Sequence, residues 1–317
     1  MKKALVLEGG GSRGAYQVGA IKAFEELGVK FDIVTGASIG AINASLYASN
    51  NLETLYKLWM DVSYDLVIKS DTKDWSTGAT RKILKESFVK GGLDSTPLNN
   101  LIYQYVDEAK LRSSPIKYGL VVTNVSKKLK MEELSIDEIE KGKVHEYIIA
   151  SAAVFPLFKK SKINEDTYVD GGYRDNSPSN LAIKMGADEI TVVSLAIPVP
   201  RRRLKNKDVK VTIIKPSKSL GFVMDFSKER ALRNIRYGYL DVMKHYNKVA
   251  GNYFSFHKDD EYNEIVKLFS NDERKMITII EALGRKLKLN DDILYNINDF
   301  IKVIKDSKYS HKLTRYL

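Results

Sequence analysis

Phe31-Asp32-Ile33-Val34-Thr35-Gly36-Ala37-Ser38-Ile39-Gly40 runs an apolar segment straight into a turn with glycines two before and two after a serine. Small residues, Ala41 to Ala48, follow it. The pattern predicts strand, sharp turn, helix. A serine in such a turn is pushed out of the backbone, with its hydroxyl exposed and the following amide of Ile39 free. Gly36 and Gly40 remove the Cβ atoms that would clash in so tight a bend. The geometry suits a nucleophile, although an ordinary βα turn satisfies the same five letters.

Upstream, Met1-Lys2-Lys3-Ala4-Leu5-Val6-Leu7 starts like a signal peptide, but its apolar run stops at Glu8. That is short of an h-region of roughly 7–15 residues. Residues 3–8 read as a buried first strand. Gly9-Gly10-Gly11-Ser12-Arg13-Gly14 follows and opens a helix from about Ala15 to Leu27. Two βα units in succession predict a mostly parallel sheet with helices on its faces. The hexapeptide satisfies G-x-G-x-x-G, so one reading is a dinucleotide site. Asp32 then stands near the place of a ribose-binding acid. The other reading is an oxyanion hole. Successive glycine amides at a helix start point several N–H groups at one developing charge, and Arg13 adds positive potential. The loop alone does not choose between them. Parallel strands put the glycine loop and the serine turn at one sheet edge, and a dinucleotide enzyme has no use for the serine.

Further along, Lys117–Thr123 and Lys130–Leu134 read as strands, and residues 143–153 as a helix ending before Phe155-Pro156. Residues 162–169 read as a hairpin, and Ile190–Leu195 and Val209–Ile214 as further strands flanking a basic loop, Pro198 to Lys207. Residues 50–112 are helical and aromatic in character, with Trp59, Tyr64 and Trp75, and form a candidate wall or lid. Beyond Pro216 the composition turns to helix formers. The expected organisation is a domain over 1–215 and a helical C-terminal region over 216–317.

A serine nucleophile needs a base. The four histidines, His145, His245, His257 and His311, sit in no clear motif. An α/β-hydrolase elbow follows several strands, whereas Ser38 follows two. Asp170-Gly171-Gly172 offers another base at a predicted strand end, with Asn176 and Pro178 after it. A free aspartate, with a pKa near 3.9, is a poor base for a hydroxyl. Partial desolvation would raise its basicity, and an oxyanion hole would ease the attack.

Taken in order, Gly9–Gly14, Gly36–Gly40 and Asp170–Gly172 resemble the patatin-like phospholipase family of the short bacterial type. Ala150-Ser151-Ala152-Ala153 and Asn176-Ser177-Pro178 support the resemblance, which covers roughly residues 1–215. It implies a three-layer α/β/α sandwich around a mostly parallel sheet, and hydrolysis of lipid acyl esters. It implies Ser38 as nucleophile, Asp170 as base without histidine, and oxyanion donors from Gly10 and Gly11 with Arg13 nearby. It implies neither a metal nor a cofactor. Two other functions stay in view: a nucleotide-binding oxidoreductase using the glycine loop, and a non-catalytic lipid-binding protein of the same fold.

The 317 residues carry no cysteine, which excludes disulfides and thiolate metal sites and fits a reducing, cytoplasmic setting. The 44% hydrophobic content supports a real core. No segment reads as a membrane span, because the uncharged stretch Ile33–Leu52 holds polar residues and a turn. Net charge is +11, and no nucleic-acid motif accompanies it. A peripheral contact with anionic membrane is the partner this charge favours, beside the lipid substrate.

Overall fold

A computed structural model describes residues 1–69, 83, 85, 87, 89, 91–199 and 201–314. Trp75 lies outside them. The first strand, β1 (Lys3–Leu7), pairs in parallel with β2 (Ile33–Gly36) on one side. On its other side it pairs with β7 (Glu189–Val193). Beyond β2 lies β3 (Lys117–Asn124), also parallel. Antiparallel β6 (Asp166–Asp170) and β5 (Ser161–Ile163) follow, and β4 (Lys130–Ser135) pairs on β3. Strand β8 (Lys210–Ile214) closes the other edge. Among the described residues the sheet has eight strands and is mostly parallel at its centre.

Alternation along β1 shows why the fold has three layers. Leu5 and Leu7 join a core with Tyr16, Ile21 and Phe24 of the helix Ala15–Glu26. Ala4 and Val6 point the other way, into a core with Ala182 of the helix Ser179–Lys184. Successive side chains of a strand face opposite sides, so both faces need a cover and both receive helices. The expected α/β/α sandwich is the observed one.

The C-terminal region divides differently from its composition. The helix Lys228–His245 crosses the helix Ala15–Glu26 so closely that a Cβ on Gly19 would stand 1.8 Å from the Ile235 carbonyl oxygen. Leu220, Met224, Tyr237 and Val249 belong to the same core as the sheet. A second core gathers residues 250–313 around Phe254, Phe256 and Phe300. The packing therefore changes hands near residue 250, whereas composition alone suggested 215/216. A three-stranded sheet, Val249–Ala250, Ser255–His257 and Leu294–Tyr295, spans the border between the two cores. These strands of two or three residues are too short to leave a periodic signal.

Candidate active site

Ser38 sits two residues past the end of β2 and caps the helix Ile39–Ala48. Its backbone has φ 54° and ψ −128°. Such a conformation costs a non-glycine residue about 1–3 kcal/mol and persists only where its surroundings impose it. Here they do. The Ser38 N–H donates to Ser151 Oγ at 3.1 Å, and Ser151 Oγ donates to the Val121 carbonyl at 2.8 Å. Gly36 and Gly40 close the turn against each other, Gly14 backs onto Ile39 and Gly171 onto Val121. Ser38 as a whole is only 7% exposed.

Strand register brings Asp170 to the same height. Leu7 of β1 and Leu120 of β3 flank Gly36. Two residues further along β3, Val122 pairs with Asp170. Because β6 runs antiparallel, it carries Asp170 down from the rim to the level of Ser38. The Asp170 N–H donates to the Ala153 carbonyl at 2.9 Å, and Thr123 Oγ1 donates to the Asp170 carbonyl at 3.0 Å. Residues 151–153 thus brace the backbones of both Ser38 and Asp170. Asp170 Oδ1 accepts from the Gly172 N–H at 2.6 Å. Oδ2 is buried without a well-formed hydrogen bond among the described residues. Burial pushes the Asp170 pKa up to about 7, while the Ser38 hydroxyl and the Gly172 N–H pull the other way.

The glycine loop completes the group. Gly9 lies against the serine turn: a Cβ there would stand 3.0 Å from Ser38 Cβ and 2.5 Å from Asn176 Oδ1. Gly10 and Gly11 line the cavity, and their N–H groups have no acceptor among the described residues. Gly11 has φ +56°, with the Val223 carbonyl where a Cβ would be. Arg13 is not among the residues that line the cavity. Its Nε donates to the Gly221 carbonyl, and its Nη1 to the carbonyls of Leu195 and Ala196. The Ser12 N–H and Oγ bond the carbonyls of Val223 and Phe222. Ser12 and Arg13 therefore clamp two distant loops to the glycine motif. A buried relay adds stiffness: Gln17 bonds the Glu8 carbonyl and Asn43, and Asn43 accepts from Trp59.

Above this floor opens a cavity of about 610 Å³. Leu55, Trp59, Val67, Leu101 and Phe158 are among its walls, and Met224 and Phe226 come from the C-terminal part of the chain. Both flanks of the 50–112 segment thus wall the cavity. A large apolar pocket with few convergent polar groups is the form of a small-molecule site.

The alternatives find less support. Asp32 lies before the start of β2, at the sheet edge opposite the glycine loop, where it accepts from the Lys3 N–H at 2.8 Å. It is not placed for a ribose. None of the four histidines lines the cavity, and His145 bonds the Val106 carbonyl instead. Among the described residues, no three His, Cys, Asp or Glu side chains converge as metal ligands. Nor is any described helix long and apolar enough to cross a membrane.

The sequence model of the patatin-like phospholipase family matches residues 5–183, more than half of the chain, and that span holds the glycine loop, Ser38 and Asp170. The chain belongs to the patatin-like phospholipase family. Lysophospholipase NTE1 of Candida albicans is 30% identical over 192 residues, covering 60% of this patatin-like chain and 13% of the fungal protein. Human patatin-like phospholipase domain-containing protein 6 is 26% identical over 199 residues, covering 61% and 13%. The chain thus matches about one eighth of the length of these relatives. Among solved structures, VipD from Legionella pneumophila aligns over 96% of this chain and 80% of its own, with a TM-score of 0.44 and 15% identity. The type III effector ExoU aligns over 99% and 68%, with a TM-score of 0.41 and 12% identity.

Three contributors have no role legible in the sequence. Ser151 and Asn176 were visible only as parts of small-residue motifs. Residues 220–226 carried no local signal, because their contacts with the glycine loop span some 210 positions.

Proposed function

We propose that this chain is a serine acyl hydrolase that cleaves a fatty acyl ester of a glycerolipid or a related ester. One observation carries the reading: strained Ser38, buried Asp170 and the free amides of Gly10 and Gly11 meet on the floor of an apolar cavity. Asp170 takes the Ser38 Oγ proton as Oγ bonds the ester carbonyl carbon. The oxyanion rests on the amides of Gly10 and Gly11. The intermediate collapses, and the alcohol leaves with the proton from Asp170. Water then attacks the acyl-enzyme, with Asp170 again as base, and releases the fatty acid. A carboxylate with a pKa near 7 is matched to this work at neutral pH.

A fluorophosphonate probe tests the reading. Label is expected on Ser38 by peptide mapping, absent from Ser38→Ala and strongly reduced in Asp170→Asn. Ester turnover undiminished in Ser38→Ala would falsify the assignment.

The same reading includes a lipid surface at the cavity mouth. Tyr173, Val199 and Phe222 line the cavity yet stay exposed, and Arg174 lies among them. With a net charge of +11, the partner is an anionic bilayer. Sedimentation with phosphatidylglycerol vesicles should exceed that with phosphatidylcholine vesicles; equal binding to both, or to neither, removes the membrane from the account.

A further inference from the structure

The Gly9–Gly10 peptide is trans, so the Gly9 carbonyl and the Gly10 N–H point in opposite directions from one rigid plane. Whatever holds the carbonyl therefore aims the amide. The Gly9 carbonyl accepts from Asn176 Nδ2 at 3.1 Å, and the Gly9 N–H donates to the Asn176 carbonyl at 3.3 Å. Gly9 is gripped from both sides by one residue. The Asn176 side-chain orientation is fixed by chemistry, because a carbonyl oxygen accepts only from the NH₂ end of the amide.

Asn176 is itself anchored. It follows Asp175, whose Oδ1 accepts from the Ser177 N–H at 3.2 Å and whose Oδ2 takes Arg202 Nη1 at 3.2 Å. Asp175 is buried, so this anchor does not swing. On the other side of the peptide plane, the Gly10 N–H has no acceptor among the described residues, and Gly10 lines the cavity. A loop of three glycines has wide backbone freedom. Without a lock, the Gly9–Gly10 plane could turn its carbonyl toward the cavity and replace a donor with an acceptor.

We infer that Asn176 is a positioning residue that locks the Gly9–Gly10 peptide with the Gly10 N–H aimed at the oxyanion. It makes no contact with the reacting atoms and acts through Gly10. The inference rests on the acyl-hydrolase reading above.

The test compares wild type, Asn176→Asp and Asn176→Ala with p-nitrophenyl butyrate, a soluble ester, and measures the rate of fluorophosphonate labelling. Asparagine and aspartate have nearly the same shape, but a carboxylate has no donor and repels the Gly9 carbonyl. The expected result is a fall in kcat of about 10²-fold for Asn176→Asp, within the 10²–10³ that loss of one oxyanion donor costs. KM should stay within about threefold. Labelling should slow by a similar factor, and Asn176→Ala should do no worse than Asn176→Asp. A packing role predicts the reverse order, with the isosteric aspartate retaining activity and alanine losing it. That order overturns the inference, as does a rise in KM at constant kcat. Loss of the folded near-ultraviolet dichroism in both variants also overturns it, because the residue is then structural. Absence of wild-type turnover overturns this inference and the functional reading together. Wild-type turnover with unchanged Asn176→Asp kinetics overturns this inference alone.

Discussion

Replacing Asp170 by asparagine should destroy activity and stabilise the protein, in a manner that depends on pH. The Asp170 carboxyl is buried, and its pKa is pushed from 3.8 up to about 7. Between those values the folded chain keeps a proton that the unfolded chain has released. Stability therefore falls as pH rises through this window, and above about pH 7 the loss is complete. About three pKa units at 1.36 kcal/mol each come to a cost of about 4 kcal/mol at pH 8. An amide in the same place has no charge to desolvate, and its oxygen can still accept from the Gly172 N–H. Asp170→Asn should thus be more stable than wild type at pH 8 by up to about 4 kcal/mol. At about 2 °C per kcal/mol, that is a melting midpoint up to about 8 °C higher. At pH 4 the gap should shrink to a small remainder. Burial likewise pushes Asp175 up, to about 6, but it titrates in both proteins and drops out of the difference. Calorimetry or dichroism at pH 4 and pH 8 makes the measurement. A gap equal at both pH values, or a variant less stable at pH 8, refutes the view of Asp170 as a desolvated carboxyl. In the proposed mechanism only the ionised Asp170 carboxylate takes the serine proton, so wild-type kcat/KM should rise with pH and level off above about 7.

Two more outcomes follow from the geometry. Ser151→Ala removes the acceptor for the buried Ser38 N–H and the donor for the Val121 carbonyl. It should cost about 1–3 kcal/mol in urea unfolding and lower kcat more than it raises KM, since the serine turn relaxes; unchanged stability and rate would show that the turn holds itself. In a series of soluble acyl esters, each added methylene should raise kcat/KM by up to about fourfold, from about 0.8 kcal/mol of burial, until the cavity is filled. A flat series would mean that the acyl chain does not lie along Leu55, Trp59 and Leu101.

The parts of this molecule that were legible in its sequence are those made by neighbours in the chain. The apolar run Ala4-Leu5-Val6-Leu7 and the glycines on either side of Ser38 are local signals, and two successive parallel βα units follow from them. Asp170 was legible as a strand-end acid, but its height beside Ser38 depends on β6 running antiparallel to β3, which no single segment encodes. Arg13 shows the opposite limit. Its place in the glycine motif suggests help for the oxyanion, yet its Nε and Nη1 donate to three backbone carbonyls. Those carbonyls belong to residues some 180 to 210 positions away. The cavity's ceiling is hidden for the same reason, because Phe222, Met224 and Phe226 reach it through tertiary packing.

The clamp formed by Ser12 and Arg13 has a consequence for how the molecule is made. Residues 9–14 are synthesised about 210 residues before the carbonyls of Gly221, Phe222 and Val223 that fix them. At 5–20 residues per second, that interval is roughly 10–40 s. Through it the nascent chain holds the serine and the glycines without the partners that shape them. A ribosome-bound chain stalled before residue 220 should therefore resist fluorophosphonate labelling, and release of the full chain should restore it. The proposed catalytic centre is completed only after residue 223, about 210 residues after its glycine loop is translated.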